Sequence, residues 1–395
     1  VPRIRVVLSI GALHGGGSER QLVNALIHLD RDRFEPYLYV VYRSGPLLAL
    51  VPDDVPIAAF EERDTRPLPA IPGAMHARRV KDMRRYLQEV RADVCYDRTF
   101  LMTLVAADAA QSAGIPNVST IVTDPFTGFA TVAGRFQWFK KRSLRRLYRN
   151  SAAVLAVSDG AARSAERFYG LESNSVVTLY NGVDSTAVQS AANEPVDSPW
   201  WNAAGSKGNA VIRIVSAGRL NYEKGFHLLI AAVARLQRES ADAEYRLALL
   251  GEGERRQQLQ DQINNAGITE HVTLAGFQNN AAAWYRSADL FVLPSLLEGM
   301  PNVLLEAMAC GTPVVSSRCP HGPDEILEAG KYGLMFESGS IAALTDTMQN
   351  IIAALPEAKQ RAVAARKHVE SAFAQHVAIR RLEKLFSLIV QRKES

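Results

Sequence analysis

Short apolar runs alternate with longer amphipathic stretches along the first half of the chain. IRVVLSI is followed by the glycine turn HGGGSE, then by RQLVNALIHL with apolar positions at helical spacing, then by PYLYVVY. Strand, glycine loop, helix, strand is the opening of a doubly wound α/β sheet. ADVCYDR, NVSTIVT and AAVLAVS continue the strand series with helical stretches between them, and the half closes near SVVTLYNGVD. From Ala187 to Asn209 the pattern lapses into AVQSAANEPVDSPWWNAAGSKGN, a polar stretch that predicts a linker over 187–209. The alternation then restarts with strand VIRIVSAG, helix FHLLIAAVARLQ, strand YRLALLG, helix RRQQLQDQINNAG and strands VTLAG and LFVLPS. Two α/β domains follow, bounded at 1–186 and 210–372. The segment from about Glu357 to Lys393 is helical in pattern and lacks strands.

Composition adds three constraints. The 395 residues give ample core for two domains. The formal charge of +4 is uneven: residues 1–180 carry 24 Lys and Arg against 18 Asp and Glu, and the remainder 21 against 23. Cys95, Cys310 and Cys319 have neither disulfide-framework nor metal-ligand spacing, which points to a reducing, cytoplasmic compartment and away from a zinc site. Acidic residues are likewise not clustered at metal-ligand spacing, so no metal and no cofactor is expected. The apolar IRVVLSIGAL runs straight into a glycine turn and is too short to span a bilayer, so it reads as a strand and not as a signal peptide.

The most informative chemistry lies in SLLEGMPNVLLEAMACGTPVV. Glu298 and Glu306 bracket a helix start placed at Pro301, a residue that loses no hydrogen bond at the first helical position. The backbone N–H groups of about Met300 to Val303, with Gly299 and Asn302 among the residues beside them, are then free to face a diphosphate. Glu298 can accept from hexose hydroxyls beyond the phosphates and Glu306 from a ribose diol, because a carboxylate offers several acceptor sites. The strand before and the strand after make this a βαβ unit with its loop where open α/β sheets bind ligands. A plainer alternative stays open at this point: Glu298 as a charge favoured by the helix dipole and Glu306 on a solvated face.

Weaker signals accompany it. Gly15, Gly16 and Gly17 sit between the first strand and first helix, where backbone can approach a phosphate or simply let the turn close. A nicotinamide dinucleotide is disfavoured, because Arg20 replaces the third glycine of that fingerprint and the second strand ends in Tyr42-Arg43 rather than an acid. Arg219 and Lys224, in VSAGRLNYEKGF, can neutralise a diphosphate as a sugar bond breaks. Gly251-Glu252-Gly253 reads as a turn. Gly276-Phe277-Gln278 can present backbone and a ring edge to a base, with packing an equal role for Phe277.

Taken together, GGGSER, AGRLNYEKG, GEGE, ADLFVLPS and EGMPNVLLEAMACGTPVV resemble a retaining glycosyltransferase of the GT-B fold, in the large glycosyltransferase family 4, the glycosyl transferases group 1. The resemblance is strong over 211–336 and rests, in the first 190 residues, on the glycine loop, Ser158 and the NGVD at 181–184. It implies two Rossmann-like doubly wound domains facing across a cleft, an acceptor domain and a nucleotide-sugar donor domain, with the C-terminal helix 373–395 completing the first. By position, Arg219 and Lys224 match the diphosphate pair and Glu298 the carboxylate at the donor sugar, with Gly299, Met300, Pro301, Asn302 and Val303 beside it. Glu306 matches the ribose-binding glutamate, and Gly16 or Gly17 the loop that closes over the phosphates. Phe277 and Gln278 lie where a base can be met. Many relatives carry a histidine in the first domain that reaches the donor sugar; here that neighbourhood reads Thr123-Asp124-Pro125, so either Asp124 or Thr123 takes a related role or the wall of the site is built differently.

The implied reaction is metal-independent transfer of a hexose from a nucleoside diphosphate sugar, UDP being favoured, to an acceptor hydroxyl with retention. The alternatives are a catalytically silent nucleotide-sugar binding protein and a nucleotide-sugar hydrolase or epimerase of the same fold. One further stretch bears on the acceptor. RFQWFKKRSLRRLYRNS, 135–151, interleaves Phe136, Trp138, Phe139, Leu144, Leu147 and Tyr148 with six Lys and Arg from Lys140 to Arg149. It fits a helix packing one side on the sheet, or a basic amphipathic helix lying on an anionic membrane at the cytoplasmic face to reach a lipid-linked acceptor. No nucleic-acid partner is expected.

Overall fold

The computed structural model describes residues 2–67, 71–205, 208–240 and 242–394. The chain folds into two compact units: one runs to Gly182 and takes the chain back from Gln375 onward, and the other is Val183–Ala374. Ser206 and Lys207 of the expected linker, and Ser395 of the expected C-terminal helix, lie outside the described residues.

The first unit is built on a parallel sheet of seven strands: β1 (Ile4–Ile10), β2 (Phe34–Val40), β3 (Ile57–Ala59), β4 (Val94–Arg98), β5 (Asn117–Ile121), β6 (Ala153–Ala156) and β7 (Val176–Thr178). Their order is β3-β2-β1-β4-β5-β6-β7, so strand order reverses between β1 and β4, where Ser9 lies beside Asp97. Successive side chains of β1 serve opposite faces, as the two-residue period of a strand requires. Val6 and Leu8 pack with Leu22 and Leu26 of the helix Gly17–His28 and with Leu382 and Phe386 of the C-terminal helix Gln375–Glu394. Val7 packs on the other face with Met83 and Leu87 of the helix Ala74–Glu89 and Val105 of the helix Phe100–Ser112.

The second unit has six parallel strands: β8 (Ala210–Ala217), β9 (Ala243–Leu250), β10 (Val272–Gly276), β11 (Leu290–Leu293), β12 (Val314–Ser317) and β13 (Leu334–Phe336). Their order is β10-β9-β8-β11-β12-β13, and the reversal falls between β8 and β11. Leu229, Ile230 and Val233 of the helix Phe226–Glu239 pack with Ile214 and Leu247 of β8 and β9 to form its core.

Three sequence expectations change. The stretch read as a linker carries the helices Ser185–Ala191 and Pro199–Asn202, the second capped by Ser198, whose Oγ accepts the Trp201 N–H at 3.3 Å. Trp201 is fully buried, with its indole N–H on Ser287 Oγ at 2.9 Å and its ring 5.2 Å from that of Trp284. Arg246, paired with Glu244 at 2.6 Å, donates to the carbonyls of Trp200, Ala203 and Ala204. Low apolar density hid one large anchor, whose burial contributes on the order of 3 kcal/mol. The change of unit falls at Gly182, before the expected boundary at 186. In 135–151, finally, Leu144, Leu147 and Tyr148 are buried whereas Phe136, Trp138 and Phe139 are exposed, so the apolar residues of that stretch do not share one face.

Candidate functional site

At the carboxyl end of the second sheet, the loops after β8 and β11 lie on adjacent strands at the reversal of strand order, the place where open α/β sheets bind ligands. They are fastened to each other. Gly225 closes the first loop at φ 65°, and a Cβ there would stand 2.0 Å from the Pro294 carbonyl oxygen. The Leu296 N–H donates to the Glu223 carbonyl at 2.7 Å. Only a glycine gives both the positive φ and the close approach.

This fastening brings Lys224 to Glu298. Lys224 Nζ stands 2.5 Å from Glu298 Oε1, and Ser295 Oγ donates to the same oxygen at 2.7 Å. Ser295 is held in turn, its carbonyl accepting from Ser317 Oγ of β12. Glu298 is 7% exposed and Lys224 is half-buried, so each neutralises a charge that would otherwise be costly to desolvate. Glu298 Oε2 makes no hydrogen bond among the described residues. The Lys224 stem runs back over Gly218, next to the exposed Arg219, whose side chain has no ion pair among the described residues.

The helix after this loop spans Asn302–Ala309, with Pro301 as its N-cap at φ −76° and ψ 101°. Pro301 is therefore extended and precedes the first helical residue, one position later than the sequence reading. Leu304 N–H donates to Pro301 O, and the N–H groups of Asn302 and Val303 precede this first intrahelical bond. Gly299 is pressed from outside, where a Cβ at Gly322 would lie 2.7 Å from its carbonyl oxygen. Glu306 falls on the second turn, partly exposed. Near these carboxylates the thiols of Cys310 and Cys319 are pushed up to about 12, mainly by burial, with the charges of Glu306 and Glu298 adding to it.

The remaining candidates are placed differently. Phe277 is exposed after β10, two strands from β8, and the Gln278 side chain is engaged with Ala275 O at 2.6 Å and the Trp284 indole at 3.3 Å. Gly16, Gly17 and Asp124 belong to the first unit. Gly16 is the N-cap of the helix Gly17–His28, at the carboxyl end of β1. Asp124 caps the helix Pro125–Ala133: Oδ1 accepts the Phe126 N–H at 3.3 Å and the Ser164 hydroxyl, and Oδ2 accepts Thr127 Oγ1 at 2.8 Å. Those bonds give it a local structural role within its own unit. Ser158 and Asp184 are helix caps too, accepting from Ala161 N–H and Ala187 N–H.

Two residues escaped the sequence reading. Ser295 was hidden because a serine ending an apolar strand carries no signal until Glu298 is seen beside it. Arg98 ends β4 at the first unit's reversal point, buried, donating to Tyr96 Oη at 3.1 Å and Asn181 Oδ1 at 3.0 Å, with its Nε unpartnered and no carboxylate paired with it among the described residues.

Comparison with known proteins agrees with this geometry. The family model described as glycosyl transferases group 1 matches residues 203–368, and the glycosyltransferase family 4 model matches residues 15–187. The lipopolysaccharide core biosynthesis glycosyltransferase LpsE of Rhizobium meliloti is 31% identical over 208 residues, 52% of this chain and 55% of the relative. The glycogen synthase of Mycobacterium tuberculosis is 29% identical over 293 residues, 72% of this chain and 66% of the relative. The chain thus matches between about half and two-thirds of the length of these curated relatives. The crystal structure of Anabaena HepE in complex with UDP-glucose superposes with a TM-score of 0.80 at 21% identity, covering 98% of this chain and all of that one. A glycosyltransferase from Rickettsia africae gives a TM-score of 0.77 at 16% identity, covering 99% of each chain. With both halves matched by family models and both sheets wound as described, the chain belongs to the family 4 glycosyltransferases of the GT-B fold.

Proposed function

We propose that the protein transfers a sugar from a nucleoside diphosphate sugar, UDP being the favoured nucleotide, to an acceptor hydroxyl with retention at the anomeric carbon. The setting is glycolipid, polysaccharide or other glycoconjugate synthesis, with the acceptor carried on a lipid at the cytoplasmic face of a membrane. The observation that carries the reading is Glu298: one oxygen gripped by Lys224 and Ser295, the other unengaged, immediately before the N-terminus of the helix Asn302–Ala309. HepE holding UDP-glucose supports the choice of donor.

The residues divide the work. Backbone N–H groups from Met300 to Val303 and the side chains of Arg219 and Lys224 receive the diphosphate, offsetting its growing charge as the sugar–phosphate bond breaks. Glu298 Oε2 accepts from the sugar hydroxyls and fixes the ring relative to the phosphates. Glu306 accepts from the ribose diol. No side chain is assigned as nucleophile: the acceptor oxygen bonds to the anomeric carbon on the face the phosphate leaves, and the departing phosphate takes the acceptor proton. Charge offset by Lys224 and Arg219 makes the step metal-independent in this reading, so EDTA is expected to leave turnover unchanged.

A panel of UDP-, GDP- and ADP-sugars tests it. One donor is expected to release its nucleoside diphosphate slowly without acceptor, and Glu298→Gln to lower that rate at least about tenfold, about 1.4 kcal/mol of transition-state stabilisation. Absence of donor binding in calorimetry overturns the reading. Donors that bind but never turn over with acceptor extracts favour a silent binding protein.

A further inference from the structure

The helix Gln137–Arg149 buries side chains of its second half only, while its first half is tethered by hydrogen bonds from Gln137 Nε2 to Ala130 O at 3.3 Å and from Lys140 Nζ to Ala133 O. Leu144, Leu147 and Tyr148 are buried, whereas residues 134–139 are all exposed. Three aromatic side chains stand on this projecting end, Phe136 at 57%, Trp138 at 65% and Phe139 at 63% exposure, and Phe126 nearby is 56% exposed. They form a connected surface. Trp138 and Phe139 meet edge to face at 4.9 Å, Lys141 lies one turn on with its ammonium 3.7 Å from the Phe168 ring, and Phe168 meets Phe126 at 5.0 Å.

The charge around these rings has one sign. From Pro125 to Ser158 there is no Asp or Glu, and there are seven Lys and Arg. Of the seven, only Arg146 has a carboxylate partner among the described residues, Asp108 at 2.9 Å. Arg135 and Arg142 instead lie over Phe136 and Trp138, at 5.8 Å from each ring. Exposed rings in a basic field are unfavourable in water but suited to a bilayer interface. Aromatic rings settle at headgroup depth, and each Lys or Arg near an anionic surface gains further attraction.

We propose that this surface docks the first unit on an anionic lipid bilayer, with Trp138, Phe139 and Phe136 entering the headgroup region and Arg135, Lys140, Lys141, Arg142 and Arg145 meeting lipid phosphates. Charge complementarity commits the site to that occupant, and among the described residues no helix is long and apolar enough to cross the membrane, so the contact is peripheral. The inference deepens the proposed function by naming the surface on which a lipid-carried acceptor is met. It rests on that reading only for its purpose, since docking needs no donor.

Sedimentation of the full chain with phosphatidylcholine vesicles, with and without half phosphatidylglycerol, tests it in the absence of any sugar nucleotide. Binding is expected to be at least about tenfold tighter to the anionic vesicles. Two variants, Trp138→Ser with Phe139→Ser, and Lys141→Glu with Arg142→Glu, are each expected to lower it about tenfold or more. Trp138, Phe139 and Arg142 are exposed and Lys141 is half-buried with its ammonium on the Phe168 ring, so circular dichroism and donor hydrolysis check that each variant is folded. Equal binding to neutral vesicles, retention by either variant, or a wild-type chain that stays in the supernatant or merely self-associates overturns the proposal. Failure of donor turnover leaves the vesicle result standing, and failure to bind vesicles leaves the donor chemistry standing.

Discussion

The two sheets reverse strand order in the same way, between β1 and β4 in the first unit and between β8 and β11 in the second, but furnish the two places differently. In the second, the loops are locked backbone to backbone and carry a paired ammonium and carboxylate. In the first, the loop after β1 is tied instead to the loop after β2, where a Cβ at Gly45 would lie 2.1 Å from the Leu13 carbonyl oxygen and the Leu13 N–H donates to Ser44 O, and Arg98, the last residue of β4, is held among the described residues by a tyrosine hydroxyl and an amide oxygen. Buried carboxylates do not divide the same way: Glu244 and Glu298 in the second unit and Asp82 in the first have cationic partners, while Asp97, fully buried beside Ser9 in the first sheet, has the hydroxyls of Thr103 and Ser119 as its hydrogen-bond donors among the described residues. One topology thus carries a matched ammonium and carboxylate at one reversal and a buried guanidinium with neutral partners at the other, since parallel strands fix where loops emerge and leave their chemistry to a few residues.

The largest test concerns locking. Gly225→Ala must place a Cβ against the Pro294 carbonyl at φ 65°, and is expected to cost about 3 kcal/mol of stability in denaturant unfolding. Gly16→Ala, at φ −71° with only the flexible Glu19 carboxylate in its way, is expected within about 0.5 kcal/mol of wild type. Equal effects would erase the distinction between the two loops.

Next comes the ion pair. Lys224→Ala is expected to slow donor hydrolysis about a hundredfold, about 2.7 kcal/mol, because it removes a phosphate contact and leaves Glu298 buried without its cation. A rate within twofold of wild type would reduce the pair to a structural one.

Smaller is the pH effect at Asp97, whose carboxyl is raised to about 7 by burial despite its two hydroxyl donors. Between pH of about 4 and 7 the unfolded carboxyl is ionised while the folded one keeps its proton, so stability falls as pH rises through this window. Asp97→Asn is expected to remove that fall, on the order of 2 kcal/mol between pH of about 5.5 and 8, as measured by chemical denaturation of both proteins at the two pH values. An unchanged pH profile would show that water or rearrangement already solvates the group.

Much of this was legible before folding. Strand and helix periods located nearly every element, because parallel strands buried on both faces read as continuous apolar runs. Glu298, Lys224 and Arg219 were visible because each sits just past such a run. The linker was misread because Trp201 supplies in one side chain the burial that pattern methods seek in several. In 135–151 a helix forms as its spacing predicts, but helical spacing alone cannot tell that its apolar residues divide between a buried second half and an exposed first turn.

The sequence by itself determined two doubly wound halves, the loops that follow their strands, and the residue types that suit a sugar nucleotide, since these depend on periodicity and on chemistry local to a few positions. Only the tertiary structure decided that Lys224 grips Glu298 across 74 residues of chain, that Ser295 shares the same oxygen, and that Asp124, besides capping a helix, accepts from Ser164, 40 residues on. It also decided which aromatics of one helix are core and which face water. The reason is common to all four: a side chain's hydrogen-bond partners and its exposure are set by neighbours brought close through sheet order, and sheet order is a property of the folded chain.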